Sequence, residues 1–365
     1  MLIRKQTGYD EFVCIADKCP KCCCIGWQIV IDEKSIERYN RVTGEFSTKL
    51  KAGIDTEESS FLQNHARCSM LGEDGLCELQ KAMGEEYLCD TCRKYPRHEE
   101  EFLDLRERTL NLSCPEVVRM LIEPTYDFGF TEEENDEFDD PSEFEDCDLF
   151  LLDELAYSRE KIEAFIKNRD IPFQKRLAMI GAAVFDMQSD YDFGNVELIG
   201  ATCERFDDPK CLEAPIPIEN IDPLNATGIP MDHSYALDSL SFLYDLEVLE
   251  DSWSDIIKET MDCYSSKDEN SAEWKEAVHP EDQKVQAIFE KVFIALLYTY
   301  FCGSVYDGQI YARCMIAIWS VRWIMMIYKA TDLTIEQVIY LYAREIEHSD
   351  ENINALITVF EGELP

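Results

Sequence analysis

From Leu149 onward, apolar residues return at helical spacing: Phe150, Leu151, Leu155, Ile162, Phe165 and Ile166, then Leu177, Ile180, Ala183, Val184 and Met187. A stripe repeating every three or four residues marks the buried face of a helix. The same pattern predicts helices at about 236–260, 281–303, 309–329, 334–348 and 351–361, with Asp332 and Thr334 placed to begin the one at 334. Gly303 and Gly308 flank a turn between two apolar helices, and the stretch from Ile199 to Pro230, with five prolines, reads as loop. Met315, Ile318, Trp319, Trp323, Met325 and Met326 form a stripe whose helical spacing assigns it to the core.

The first third follows other periods. Residues 28–34, QIVIDEK, alternate as a half-buried strand does. Gly72-Glu73-Asp74-Gly75 reads as a tight turn, and Pro115 suits the first position of a helix begun by Ser113 or Cys114. Residues 127–148, DFGFTEEENDEFDDPSEFEDCD, carry dense like charge and few aliphatics, too little apolar surface to offset the entropy of ordering. They predict a linker or an edge loop. The expected fold is therefore α+β and predominantly α-helical, with a cysteine-rich domain at 1–123, an acidic linker at 124–148 and a mainly helical domain at 149–365.

Charge narrows the partners. Against 34 Lys+Arg stand 75 Asp+Glu, a net of −41; residues 1–123 hold 17 basic and 23 acidic side chains, so the remainder carries −35. Nucleic acid is not expected, because a duplex-binding surface needs clustered Lys and Arg to displace counterions. The acidic segment could instead serve as an arm for a basic partner. Membrane insertion is not expected either, since no uncharged apolar run reaches the ~18 residues of a span; the longest, Ile310 to Tyr328, is interrupted by Arg313 and Arg322. The opening residues MLIRKQTGYDEF lack the apolar run of a secretory signal, so the expected location is the cytoplasm, where grouped cysteines hold metal more often than they form disulfides.

Ten of the sixteen cysteines lie in the first third: Cys14, Cys19, Cys22, Cys23, Cys24, Cys68, Cys77, Cys89, Cys92 and Cys114. Three adjacent cysteines cannot all point one way, so Cys22, Cys23 and Cys24 cannot all converge with Cys19 on one ion. The turn at 72–75 returns the chain so that Cys68 and Cys77 could face each other. The two-residue gap between Cys89 and Cys92 lets two thiolates reach one ion or one cluster edge. Cys114, at a helix N-terminus, is expected to have a lowered pKa and to ligate readily. His65 and His98 fall outside any Cys/His finger spacing. An all-thiolate set suits zinc or an iron–sulfur cluster, and spacings too irregular for a zinc ribbon put iron–sulfur slightly ahead.

The runs Cys14-x4-Cys19-x3-Cys23-Cys24-x-Gly26-Trp27, Gly75-Leu76-Cys77, Cys92-x2-Tyr95-Pro96-Arg97 and Leu112-Ser113-Cys114-Pro115-Glu116 resemble the signature of the flagellin lysine-N-methylases and the zinc/iron-chelating cysteine-cluster domain they contain. The stretch with Arg344 and His348 is similar to that family's C-terminal helices. The resemblance implies methyl transfer from S-adenosylmethionine to lysine ε-amines of flagellin, with a bound metal or iron–sulfur centre, for which a 4Fe-4S cluster is one form. It carries metal ligation to Cys14, Cys19, Cys23, Cys24, Cys68, Cys77, Cys92 and Cys114, leaving Cys22 and Cys89 as extras. Cys68-Ser69-Met70 departs from the family's Cys-Pro-Phe, and the chain is unusually acidic.

Beside the resemblance, the residues show no Gly-x-Gly turn for a dinucleotide-like cofactor site. Gly26 stands where a Cys-x3-Cys-x2-Cys radical loop would place its third cysteine. Ordinary displacement suffices for a lysine amine once its proton, held with a pKa of ~10.4, has been removed. Tyr95, Asp90 and Glu116 lie near the cysteines but read as structural, and no catalytic base emerges. Two other readings stay open: a non-enzymatic metal-binding or electron-transfer module, and a structural zinc domain fused to a helical partner-binding domain.

Overall fold

The computed structural model describes residues 1–136, 139, 140, 142, 144, 146–208, 211, 212, 233–267 and 282–361. A four-stranded sheet is built from β1 (Leu2–Gln6), β2 (Arg97–Phe102), β3 (Leu105–Leu110) and β4 (Phe130–Glu134), in the order β2-β3-β1-β4. β1 runs parallel to β3, with Leu2 opposite Leu105, and antiparallel to β4, with Leu2 opposite Glu134. β4 thus makes part of the acidic stretch an edge strand, where a row of exposed carboxylates discourages pairing with another chain.

Between β1 and β2 the chain makes the cysteine-rich region, with helices α1 (Glu33–Asn40), α2 (Glu45–Ala52), α3 (Glu78–Met83) and α4 (Asp90–Lys94). Its small core gathers Ile29, Ile31, Tyr39, Leu50, Phe61, Met70 and Leu79 together with Cys68 and Cys89. Residues 28–32 form no paired strand, and 33 and 34 already belong to α1: Val30 makes one isolated bridge to Ser60, while Ile29 and Ile31 are buried and Val30 is exposed. The alternation fixed which side chains face inward, but Asp32 then caps α1 by accepting from the Ser35 N–H, and the helix ends the extension.

After β3 come α5 (Pro115–Ile122), α6 (Leu149–Ile166) and α7 (Phe173–Asp192), then α8 (His233–Asp245), α9 (Trp253–Ser265), α10 (Gln283–Tyr300), α11 (Ile310–Ala330), α12 (Ile335–Glu347) and α13 (Asp350–Glu361). The chain is α+β and predominantly helical. α11 lies at the centre with Trp319, Trp323, Met325 and Met326 fully packed, as its stripe required. α10 with its continuation to Asp307, and α11, are long and apolar enough to cross a membrane by length and composition; here 83% and 94% of those windows are buried inside the protein. The helix starts carry their caps: Asp148 accepts from the Phe150 and Leu151 N–H groups, and Thr334 and Gln337 form a reciprocal capping box. Thr334, not Asp332, begins α12.

Two expectations change. The helix expected at 236–260 is two helices, because residues 246–252 leave helical geometry to dock on α12 and α13. There the N–H groups of Glu247, Leu249 and Glu250 donate to Asn352 Oδ1 (2.9 Å), Glu345 Oε2 (2.8 Å) and Glu345 Oε1 (2.8 Å). Of the loop expected at 199–230, Ile199–Thr202 is α-helical and Cys203–Asp207 a 3-10 helix; 213–230 lie outside the described residues.

The sheet joins the helices through a buried ion network. Glu107 on β3 pairs with Arg4 of β1 (2.9 Å) and with Arg159 of α6, whose guanidinium also lies 3.9 Å over the Tyr298 ring of α10. Burial raises the cost of the Glu107 charge, yet the two guanidinium groups outweigh it and hold its pKa below the usual carboxylate range.

Candidate metal and thiol site

All sixteen cysteines are free thiols. The ten of the first third fall into three neighbourhoods, defined by which sulfurs feel one another's charge. Cys68, Cys77, Cys89 and Cys92 form one, around α3 and α4. Cys14, Cys19 and Cys114 form a second, against the start of α5. Cys22, Cys23 and Cys24 lie between, since Cys23 is felt by Cys19 and by Cys77. Among the described residues, no three Cys, His, Asp or Glu side chains are drawn together closely enough to hold a metal ion.

Each neighbourhood has a local origin. The 72–75 turn forms, with the Gly75 N–H donating to Gly72 O (3.0 Å), and Leu71 bridges Cys77, which brings Cys77 back beside Cys68. Cys89 is the residue before α4 and Cys92 lies one turn into it, so both sulfurs meet on one side. Cys114 is the N-cap of α5 with Pro115 following. The expected drop in its pKa is reversed: burial pushes the thiol up to about 12, against the pull of the Glu116 and Val117 N–H groups.

The remaining thiols are unevenly poised. Hydrogen bonding from the Cys24 thiol lowers Cys22 to about 6, helped by the Arg344 and Arg67 charges, and lowers Cys23 as well; Cys24, the donor, is raised. The same asymmetry holds between Cys89, lowered, and its donor Cys92, raised. Burial raises Cys19, Cys77 and, to about 11, Cys68. Cys14 and Cys23 are exposed. Free and wholly sulfur, these residues have the donor chemistry of a thiophilic ion or an iron–sulfur site, although the described side chains do not converge on one point.

Cys22 and Cys89, outside the expected ligand set, stand within it in space. Sequence alone gave one signal for each: the unbroken Cys22-Cys23-Cys24 run and the Cys89-x2-Cys92 gap. His65 is exposed, and His98 faces Glu100 at 3.1 Å; neither belongs to a group of side chains able to hold a metal ion among the described residues. Asp90 pairs with Arg93, and Glu116 with Arg119 at 2.6 Å, which matches their structural reading.

Residues to which the sequence assigned no role in the site, Trp27, Tyr95, Arg344 and His348, come together where α12 meets the cysteine region, with Glu347, which it did not mark, beside them. The His348 ring stacks on Trp27 with centroids 4.6 Å apart, and Tyr95 lies 5.8 Å from each. Tyr95 shares a hydrogen bond of 3.0 Å with Ser113, next to Cys114. His348 Nε2 and Glu347 Oε1 are buried without hydrogen-bond partners. Burial and the Arg344 charge hold His348 neutral, with a pKa lowered to about 3; burial raises Glu347 to about 8. Arg344 itself reaches across the seam to the carbonyls of Cys22 and Ile25.

Residues 159–364 match the family described as the FliB lysine N-methylase C-terminal domain. The chain is 28% identical over 143 residues to a lysine-N-methylase of Salmonella typhimurium, covering 33% of each chain. It is 30% identical over 132 residues to the flagellar biosynthetic protein FliU of Salmonella muenchen, covering 33% of this chain and 78% of that one. The matched segment thus spans about a third of the length of the lysine-N-methylases. No solved structure matches the chain significantly.

Proposed function

Because the chain belongs to the FliB lysine N-methylase family, we propose that it transfers methyl groups from S-adenosylmethionine to lysine side chains of flagellin. The observation that carries this reading is the seam at α12. The family-matched helices, which include Arg344, Glu347 and His348, pack there directly on the Cys22–Trp27 loop, so the thiol region and the matched domain build one place.

The reaction makes simple demands. A lysine amine that has lost its proton attacks the sulfonium methyl carbon; the N–C bond forms as the C–S bond breaks, and S-adenosylhomocysteine leaves. Desolvation favours the neutral amine, and the apolar faces of Trp27, Tyr95 and His348 at the seam are the groups that would supply it. Cys14, Cys19, Cys23, Cys24, Cys68, Cys77, Cys92 and Cys114, with Cys22 and Cys89 near them, are the residues to hold zinc or an iron–sulfur cluster, which when bound supplies a Lewis-acidic or redox-active centre. The acidic surface suits a substrate segment rich in lysine.

Co-expression with flagellin from the same source tests the reading. The intact mass of the flagellin is expected to rise in steps of one methyl group that map to surface lysines. Unmodified flagellin from metal-replete protein, with S-adenosylmethionine present, would count against it.

A further inference from the structure

Four consecutive carbonyls in the cysteine triplet loop are all taken. Arg344 Nη2 donates to Cys22 O (3.3 Å) and to Ile25 O (2.6 Å), Trp27 Nε1 to Cys23 O (2.7 Å), and the Cys68 N–H to Cys24 O (2.9 Å). The next residue, Gly26, has φ +95°, and a Cβ there would lie 3.4 Å from Leu249 O and 3.6 Å from Arg344 Nη2. The loop is therefore pressed backbone-first onto the helical region. With its carbonyls fixed, the thiols of Cys22, Cys23 and Cys24 retain only their own side-chain torsions.

Arg344 is itself held. Its Nε donates to Glu250 Oε1 (2.9 Å), the second Glu250 oxygen pairs with Lys21 (2.8 Å), and the Glu250 N–H donates to Glu345 (2.8 Å). Arg344, Glu250 and Glu345 are all buried. A planar guanidinium directs its Nε at the carboxylate and its Nη2 at the two carbonyls along fixed directions, which an ammonium cannot do. The loop is thus gripped by a residue 319 positions away from Ile25 in the chain.

We propose that Arg344 is a positioning residue: from the helical region it fixes the directions in which the thiols of Cys22, Cys23 and Cys24 point, with Glu250 orienting the guanidinium. The inference rests on the reading that these thiols are working groups, but its test needs neither metal nor methyl transfer. The full chain, stripped of metal and kept reduced, is pulsed with a thiol-alkylating reagent, and labelling at each cysteine is followed by peptide mass spectrometry. Charged hydrogen bonds are the strong ones, so losing the two to the loop is expected to speed labelling of Cys22, Cys23 and Cys24 about tenfold or more in Arg344→Lys. Cys68, Cys89 and Cys114 are expected to label as in the parent, and the far-ultraviolet circular dichroism to be unchanged.

Glu250→Gln, which keeps the shape and removes the orienting charge, is expected to give the same pattern more weakly, and it decides the matter if Arg344→Lys does not fold. Unchanged labelling of the triplet in a folded variant overturns the proposal. So does a uniform rise over all ten cysteines, which would make Arg344 an ordinary structural bolt. Triplet-selective labelling in a protein that does not methylate flagellin would leave the positioning role standing and remove the enzymatic reading alone.

Discussion

Replacing Glu107 by Ala tests how the sheet is fastened to the helices. Glu107 is 1% exposed and stands between Arg4 at 6% and Arg159 at 0%, so its removal leaves two buried guanidinium groups facing each other with no counter-charge between them. Arg4 keeps a partner in Glu132 at 2.7 Å, but Arg159 keeps only its stacking on Tyr298. Breaking a buried pair by removing one partner typically costs about 3–5 kcal/mol, and the Arg4–Arg159 repulsion places this case at the upper end. Urea unfolding followed by circular dichroism measures it as a fall in midpoint. The pH dependence gives a second check: the folded pKa of Glu107 lies below the ~4.3 of an unfolded glutamate. Its contribution is therefore fully present above about pH 4.3 and lost as pH falls through the folded value. The parent is expected to lose stability through that acid window more steeply than Glu107→Ala. A cost below about 1 kcal/mol, the range of exposed ion pairs, or an identical acid slope in both proteins, would refute the reasoning.

The opposite sign is expected at Glu347, whose folded pKa is raised to about 8 by burial. The parent then loses stability as pH rises from ~4.3 toward that value. Glu347→Gln is expected to flatten the loss, matching the parent near pH 5 and exceeding it near pH 9 in thermal unfolding; a parallel pair of curves would rule out ionisation there. Single Ser substitutions at Cys19, Cys23, Cys77, Cys92 and Cys114 are expected to lower the bound iron or zinc of anaerobically prepared protein, while those at Cys203, Cys263 and Cys302, on elements of the helical region, leave it intact. Equal effects in both groups, read by metal and acid-labile sulfide analysis, would show that the grouping has no bearing on metal.

Local chemistry made much of this protein legible in advance. The 3.6-residue apolar period requires a helix wherever one face must be buried, and so α6, α7 and α10 to α13 follow from their own residues; α11, apolar all round, had to be central. Proline after Cys114 and the Gly72–Gly75 turn are equally local, because they depend on backbone torsions within four residues. What could not be read were the outcomes of competition between distant groups. Residues 246–252 carry a helical pattern, but Glu345 and Asn352, about a hundred positions away, offer better acceptors for their N–H groups. Cys114 has a helix terminus beside it, yet burial against α5 outweighs that pull. The Arg344 grip on Cys22 and Ile25 has no sequence signal at all, since hydrogen bonds to backbone carbonyls leave no mark on residue type. Periodicity and torsion are properties of short segments and are written in the sequence; the partners of buried polar groups are set only when the folded chain brings its remote parts into contact.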